Sequence, residues 1–94
     1  MLDFDALRQS ADRSATVTKG GRSYSFRKLG AITIDEKLDL QKKVAKMNVA
    51  ELLAILVGMD GCEVTAGDIT AAFEDWELQL IAEEVNKPVT LGES

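Results

Sequence analysis

The residues most able to do chemistry fall in three stretches. The first is TVTKGGRSYSFRKLG, from Thr16 to Gly30, where a glycine pair sits between Lys19 and Arg22 and Tyr24 and Phe26 alternate with polar residues. Glycines beside a cation can cradle a phosphate, because backbone N–H groups then converge on the anion. A phosphate loop, however, needs G-x-x-x-x-G-K-[ST] between a strand and a helix. Here the glycines join two alternating segments, so Gly20-Gly21 reads as a turn.

Basic residues interleaved with aromatics can also hold nucleic acid, through phosphate pairing and base stacking. Arg22, Arg27 and Lys28 with the lysines further on could form such a face. The chain is nevertheless acidic, with a sequence pI ≈ 4.6, whereas nucleic-acid domains usually lie above ~9. A helix-turn-helix built from the last two helices would present Asp68, Glu74, Asp75 and Glu77 to phosphates, which is the wrong charge.

Asp60 to Asp68, DGCEVTAGD, resembles a calcium loop in composition only. Gly61 directly after Asp60 breaks the D-x-[DN]-x-[DN]-G register, leaving a helix-breaking turn followed by a cap. Glu74, Asp75, Glu77, Glu83 and Glu84 circle the last helix, but paired carboxylates do acid–base work only inside a pocket. Cys62 lies beside Asp60 and Glu63, an acidic neighbourhood that does not suit a nucleophilic thiolate. It is the single cysteine, which excludes an internal disulfide and favours a reducing compartment, and the chain has no histidine. The expectation is a non-enzyme with no catalytic residue, cofactor or metal.

Charge is divided along the chain. Residues 1–48 hold ten Lys and Arg against six Asp and Glu, while residues 49–94 hold Lys87 alone against ten acidic residues. Such a split can be satisfied inside one fold, between copies, or by a charged partner. No apolar run exceeds six residues (Leu52–Val57) and residues 1–20 lack a hydrophobic signal region, so neither a membrane span nor secretion is expected.

The elements that position these residues follow from periodicity. Leu2, Phe4 and Leu7 mark a short amphipathic segment whose spacing permits either a short helix or an edge strand, with a helical turn preferred. Residues 15–28 read as a β-hairpin around Gly20-Gly21, with Tyr24 and Phe26 facing the helices and Arg22 and Lys28 at the strand ends. Thr33 and Glu36 form a capping box for a helix over 34–47 with the stripe Leu40, Val44 and Met47. Asn48 caps a helix over 49–59 that is apolar nearly all round and should be the most buried element. Thr65 and Asp68 open a helix over 66–86. On it Ile69, Ala72, Phe73, Trp76 and Leu80 form the expected core stripe, and Leu78, Ile81, Ala82 and Val85 fall opposite. The fold expected is α+β, mainly α: an N-terminal hairpin packed on about three helices. It forms one domain over 1–88, with a flexible tail over 89–94.

The order of these pieces, LDFDAL, then GGRSYSFRKLG, then a helical region with the start VTAGDI from Val64 to Ile69, resembles the small tail assembly chaperones of long-tailed bacteriophages. The resemblance implies a protein of the host bacterial cytoplasm that self-associates. It binds the tape-measure protein while the tail tube polymerises, and is absent from the mature virion. It also implies a possible frameshifted longer form, with a slip site at LGES. Both residues and resemblance point to apolar, charge-complementary surfaces and a helix-in-groove contact. The expected partner-binding residues are Leu78, Ile81 and Val85 with Arg22, Arg27 and Lys28. The alternative for the apolar three is coverage by the N-terminal segment. Two other classes remain: a different phage structural or head–tail adaptor protein, and a small nucleic-acid-binding regulator using the basic half.

Overall fold

A computed structural model describes residues 2–91. Helix α1 (Phe4–Ser10) begins at Asp3, whose carboxylate accepts from the backbone N–H groups of Asp5 and Ala6. Strands β1 (Ser14–Lys19) and β2 (Arg22–Arg27) pair antiparallel, with Val17 opposite Tyr24 and Ala15 opposite Phe26. Gly20 and Gly21 both take positive φ, 61° and 79°, as the two central residues of a tight hairpin turn require. A single 3₁₀ turn, Leu29–Ala31, leads to α2 (Ile34–Val44), α3 (Val49–Met59), α4 (Ala66–Ala72) and α5 (Asp75–Asn86). The fold is α+β and mainly α, with the hairpin leaning on the helices.

The core gathers Tyr24 and Phe26 from β2, Leu53, Leu56 and Val57 from α3, Ile69 and Phe73 around α4, and Ile81 and Val85 from α5. Tyr24 and Phe73 meet edge to face with ring centroids 5.0 Å apart, an arrangement that suits the aromatic quadrupoles. Helix α3 is central, packing on β2, α4 and α5. Each fully buried side chain of this size contributes about 1.5–3 kcal/mol through burial.

Three caps stand where the sequence puts them. Thr33 and Glu36 form a reciprocal box, Asn48 accepts from the Glu51 N–H at 2.9 Å, and Thr65 and Asp68 form a second reciprocal box. Two expectations fail. The stripe of α2 is mostly unburied: Leu40 packs inward, but the helix ends at Val44, which is exposed. And the helix expected over 66–86 is two helices. Phe73 (φ −121°, ψ 146°) and Glu74 (φ −82°, ψ 162°) are extended, and α5 restarts with the Glu74 N–H donating to Glu77 Oε1 at 2.8 Å.

The segment expected to be a flexible tail from residue 89 carries an isolated antiparallel bridge, with the Asp12 N–H donating to the Thr90 carbonyl at 2.7 Å. The LGES stretch beyond Leu91 lies outside the described residues.

Candidate interaction surface

The break before α5 decides which of its faces is outside. In a continuous helix Trp76 and Leu80 would stay in line with Ile69 and Phe73. The extended pair Phe73-Glu74 resets the phase, so α5 turns Ile81 and Val85 inward, at 3% and 0% exposure. Trp76 and Leu80 turn out, at 60% and 51%. Leu78 is half-buried against the core. Ile81 and Val85 are therefore core residues, and neither offers surface to a partner. The apolar face that remains open on α5 is the one expected to be buried.

The expected cationic contacts are corrected in the same way. Arg27 donates from Nε to Asp60 Oδ1 at 2.6 Å and from an Nη to the Met59 carbonyl at 3.2 Å. Lys28 is buried, and its Nζ lies 2.9 Å from Asp12 Oδ2. It shares the inward parity of Tyr24 and Phe26, which carries its stem into the core while its head reaches the bridge segment. Of the six residues expected to bind a partner, Arg22 alone is exposed. Its guanidinium lies over the Tyr24 ring, 5.0 Å from the centroid.

Part of the charge split closes within the chain. Arg27 and Lys19 of the hairpin meet Asp60 and Glu77 of the acidic half. Lys19 also lies 5.4 Å from the Phe73 ring centroid, a cation–π position. Burial pushes the Asp60 carboxyl up, but hydrogen bonds from Ser14, Ser25 and Arg27 outweigh it and hold the carboxyl below its ordinary value. Glu77 is lowered by the Glu74 N–H first and by Lys19 second.

Besides Ile34, Leu38 and Val44, which stand open on α2, apolar surface is open at two further places. One is the outer ridge of α5, Trp76 and Leu80, beside a dent of about 170 Å³ against Val17 of β1. The other is a groove of about 380 Å³ between α1 and the C-terminal segment, with Phe4, Leu7, Ala31, Val89 and Leu91 in its walls and Arg8 and Arg13 at its edge. Leu2 and Phe4 on that wall are each 71% exposed, and α1 buries none of its residues. Sequence reasoning missed both features. The signal for the ridge was Glu74-x-x-Glu77, half of a capping box with an unusual cap residue.

Among the described residues no cluster of three or more acidic or cysteine side chains comes together to hold a metal, and no helix is long and apolar enough to cross a membrane. Fold and surface together define a small α+β domain that carries open apolar faces. No protein-family model matches the chain, and no match is found among curated proteins or solved structures.

Proposed function

We propose that this protein is a tail assembly chaperone of a long-tailed bacteriophage, working in the host cytoplasm by binding the tape-measure protein and copies of itself. One observation carries the reading: large apolar side chains stand open in patches on a chain this small. Phe4 at 71%, Trp76 at 60% and Leu80 at 51% exposure lie beside concave apolar surface. Open apolar patches of this kind mark protein interaction sites. A ridge and a groove suit an amphipathic helix, whose i and i+4 side chains anchor in apolar grooves. The order of hairpin, compact helices and VTAGDI helix start supports the family assignment, and the reading is of a non-enzyme.

The test is a tail-assembly reaction containing the tape-measure protein. The chaperone keeps that protein in solution, binds it, and is missing from finished particles. Retention in the finished particle would favour a structural adaptor instead, and unchanged tape-measure solubility would overturn the reading. The nucleic-acid alternative loses Arg27 and Lys28, both already engaged in ion pairs.

A further inference from the structure

The ridge of α5 and the groove beside α1 share no residue, and they lie on different parts of the fold. Trp76 and Leu80 belong to a helix anchored by Ile81 and Val85 in the core, so the ridge cannot swing round to fill the groove of its own chain. Their charges are opposite. Arg8 and Arg13 edge the groove. Asp3 and Asp5 flank Phe4 at the N-terminal end of α1, about a turn or more from Arg8, and Asp12 is paired with Lys28. Arg13 is lowered from its ordinary value by burial first and then by repulsion from Arg8 and Arg27, with Asp60 opposing. The two charged residues in the groove lining, Arg8 and Arg13, are both cations, and they suit anions opposite them.

The ridge supplies them. Glu83 follows Trp76 and Leu80 at i+7 and i+3, which places it on the same face of α5. Asp75 and Glu84 flank that face, and all three are exposed. Among the described residues Glu84 pairs with Lys87, while Asp75 and Glu83 pair with no cation.

We infer that the groove beside α1 receives the α5 ridge of a second copy, with Trp76 and Leu80 in the apolar floor and Glu83 facing Arg8 and Arg13. The contact joins two different patches, so it is heterologous. However many copies join, the assembly keeps one free ridge at one end and one free groove at the other, so it extends or closes into a ring. The contact deepens the self-association in the reading above. It is decided on purified protein alone, so its failure leaves tape-measure binding to its own test.

The experiment is sedimentation velocity on the wild type, on Leu80→Asp (ridge) and on Phe4→Asp (groove), over a range of protein concentration and salt. The wild type associates with rising concentration and dissociates with rising salt, since exposed charge pairs are screened. Each variant is monomeric where the wild type associates, with a dissociation constant raised about tenfold or more, as for loss of a central apolar anchor. An equimolar mixture of the two forms a dimer and stops there, because only one intact ridge and one intact groove meet. A monomeric wild type, a variant that associates like the wild type, or a mixture that stays monomeric would each overturn the inference. Should Phe4→Asp unfold α1, a charge exchange replaces it. Arg8→Glu weakens association and Glu83→Lys in the same chain restores it, and absence of restoration counts against the contact.

Discussion

Helices α2 and α3 have the same length, eleven residues each, and both begin at a side chain that caps the first turn, yet they sit in the molecule in opposite ways. Helix α3 buries Ala50, Leu53, Leu56 and Val57, while α2 buries Leu40 alone. Ile34 and Leu38 of α2 stand open at 77% and 51% exposure. The difference teaches that a cap decides where a helix starts, and apolar content decides whether it packs. Caps satisfy orphan N–H groups locally, worth about 1 kcal/mol. Packing draws on burial, worth several times that for each large side chain. Helix α2 therefore owes more of its order to its own sequence, and α3 to the rest of the fold.

The largest effect that separates the two comes from placing a charge on each. Leu56 has no exposed surface, and Leu56→Asp would bury an unpaired carboxylate in the middle of the core. Loss of the folded state is expected, seen as loss of the cooperative thermal transition. Leu38→Asp falls on solvent-exposed helix and should shift stability by no more than about 0.5 kcal/mol. Equal damage from the two would mean that α2 packs far more tightly than its exposure allows.

A second contrast lies at the C-terminal ends. Helix α3 finishes at Asp60, which gathers Ser25 and Arg27 of the hairpin, whereas α2 runs out at Val44 without such a tie. Asp60→Ala leaves the half-buried Arg27 unpaired and should cost about 1–3 kcal/mol, measured by denaturant unfolding. The same group sets a pH dependence. Its folded carboxyl titrates below its ordinary value of 3.8. A depressed carboxyl contributes stability that is present above the unfolded value and lost as pH falls through the folded one. Stability should thus drop on acidification below about pH 4, and Asp60→Asn should flatten that part of the curve.

How much of this was legible differs by region, for physical reasons. The hairpin could be read because alternation and a glycine pair are local signals, and Tyr24 and Phe26 face inward as their parity requires. The caps at Thr33, Asn48 and Thr65 are local too, and the structure has them. The depth of α3 followed from its being apolar nearly all round. What failed was phase and pairing. Glutamate is a poor cap residue, so Glu74-x-x-Glu77 marked the new start only weakly, and carrying one helical phase across Phe73-Glu74 exchanged the inner and outer faces of α5. Ile81 and Val85 were thereby assigned to a surface, and Trp76 and Leu80 to the core. The charge split of the chain was plain, but that Arg27 would meet Asp60 and Lys28 would meet Asp12 depends on how separate elements pack, which no local pattern encodes.

The caps offer a finer version of the comparison. Asn48→Ala removes the bond to the Glu51 N–H and should cost about 1 kcal/mol in global stability, because α3 unfolds only with the core. Thr33→Ala removes an equivalent bond, but α2 can open without the core. Its loss should appear chiefly as faster amide exchange along α2, with a smaller shift in melting. An equal shift in melting for the two would mean that α2 belongs to the same cooperative unit.

The smallest expected effect concerns the charges that α2 carries on its own surface. Asp39 and Lys43 pair at 3.0 Å across one turn, with both side chains more than half exposed. Such a pair contributes about 0.3–0.5 kcal/mol, and the order of acid before base along the helix is the favourable one. Asp39→Asn should therefore lower stability by a few tenths of a kcal/mol at most at low salt, and by nothing measurable near 1 M salt, where the Debye length falls to about 3 Å. The contrast is with Arg27 and Asp60, whose side chains are only 21% and 9% exposed. That pair is shielded from salt, so the penalty of Asp60→Ala should survive the same titration nearly unchanged. If both penalties faded together, screening would reach the α3 tie as freely as the α2 surface, and the division between a packed helix and a self-supporting one would fail at its most sensitive point.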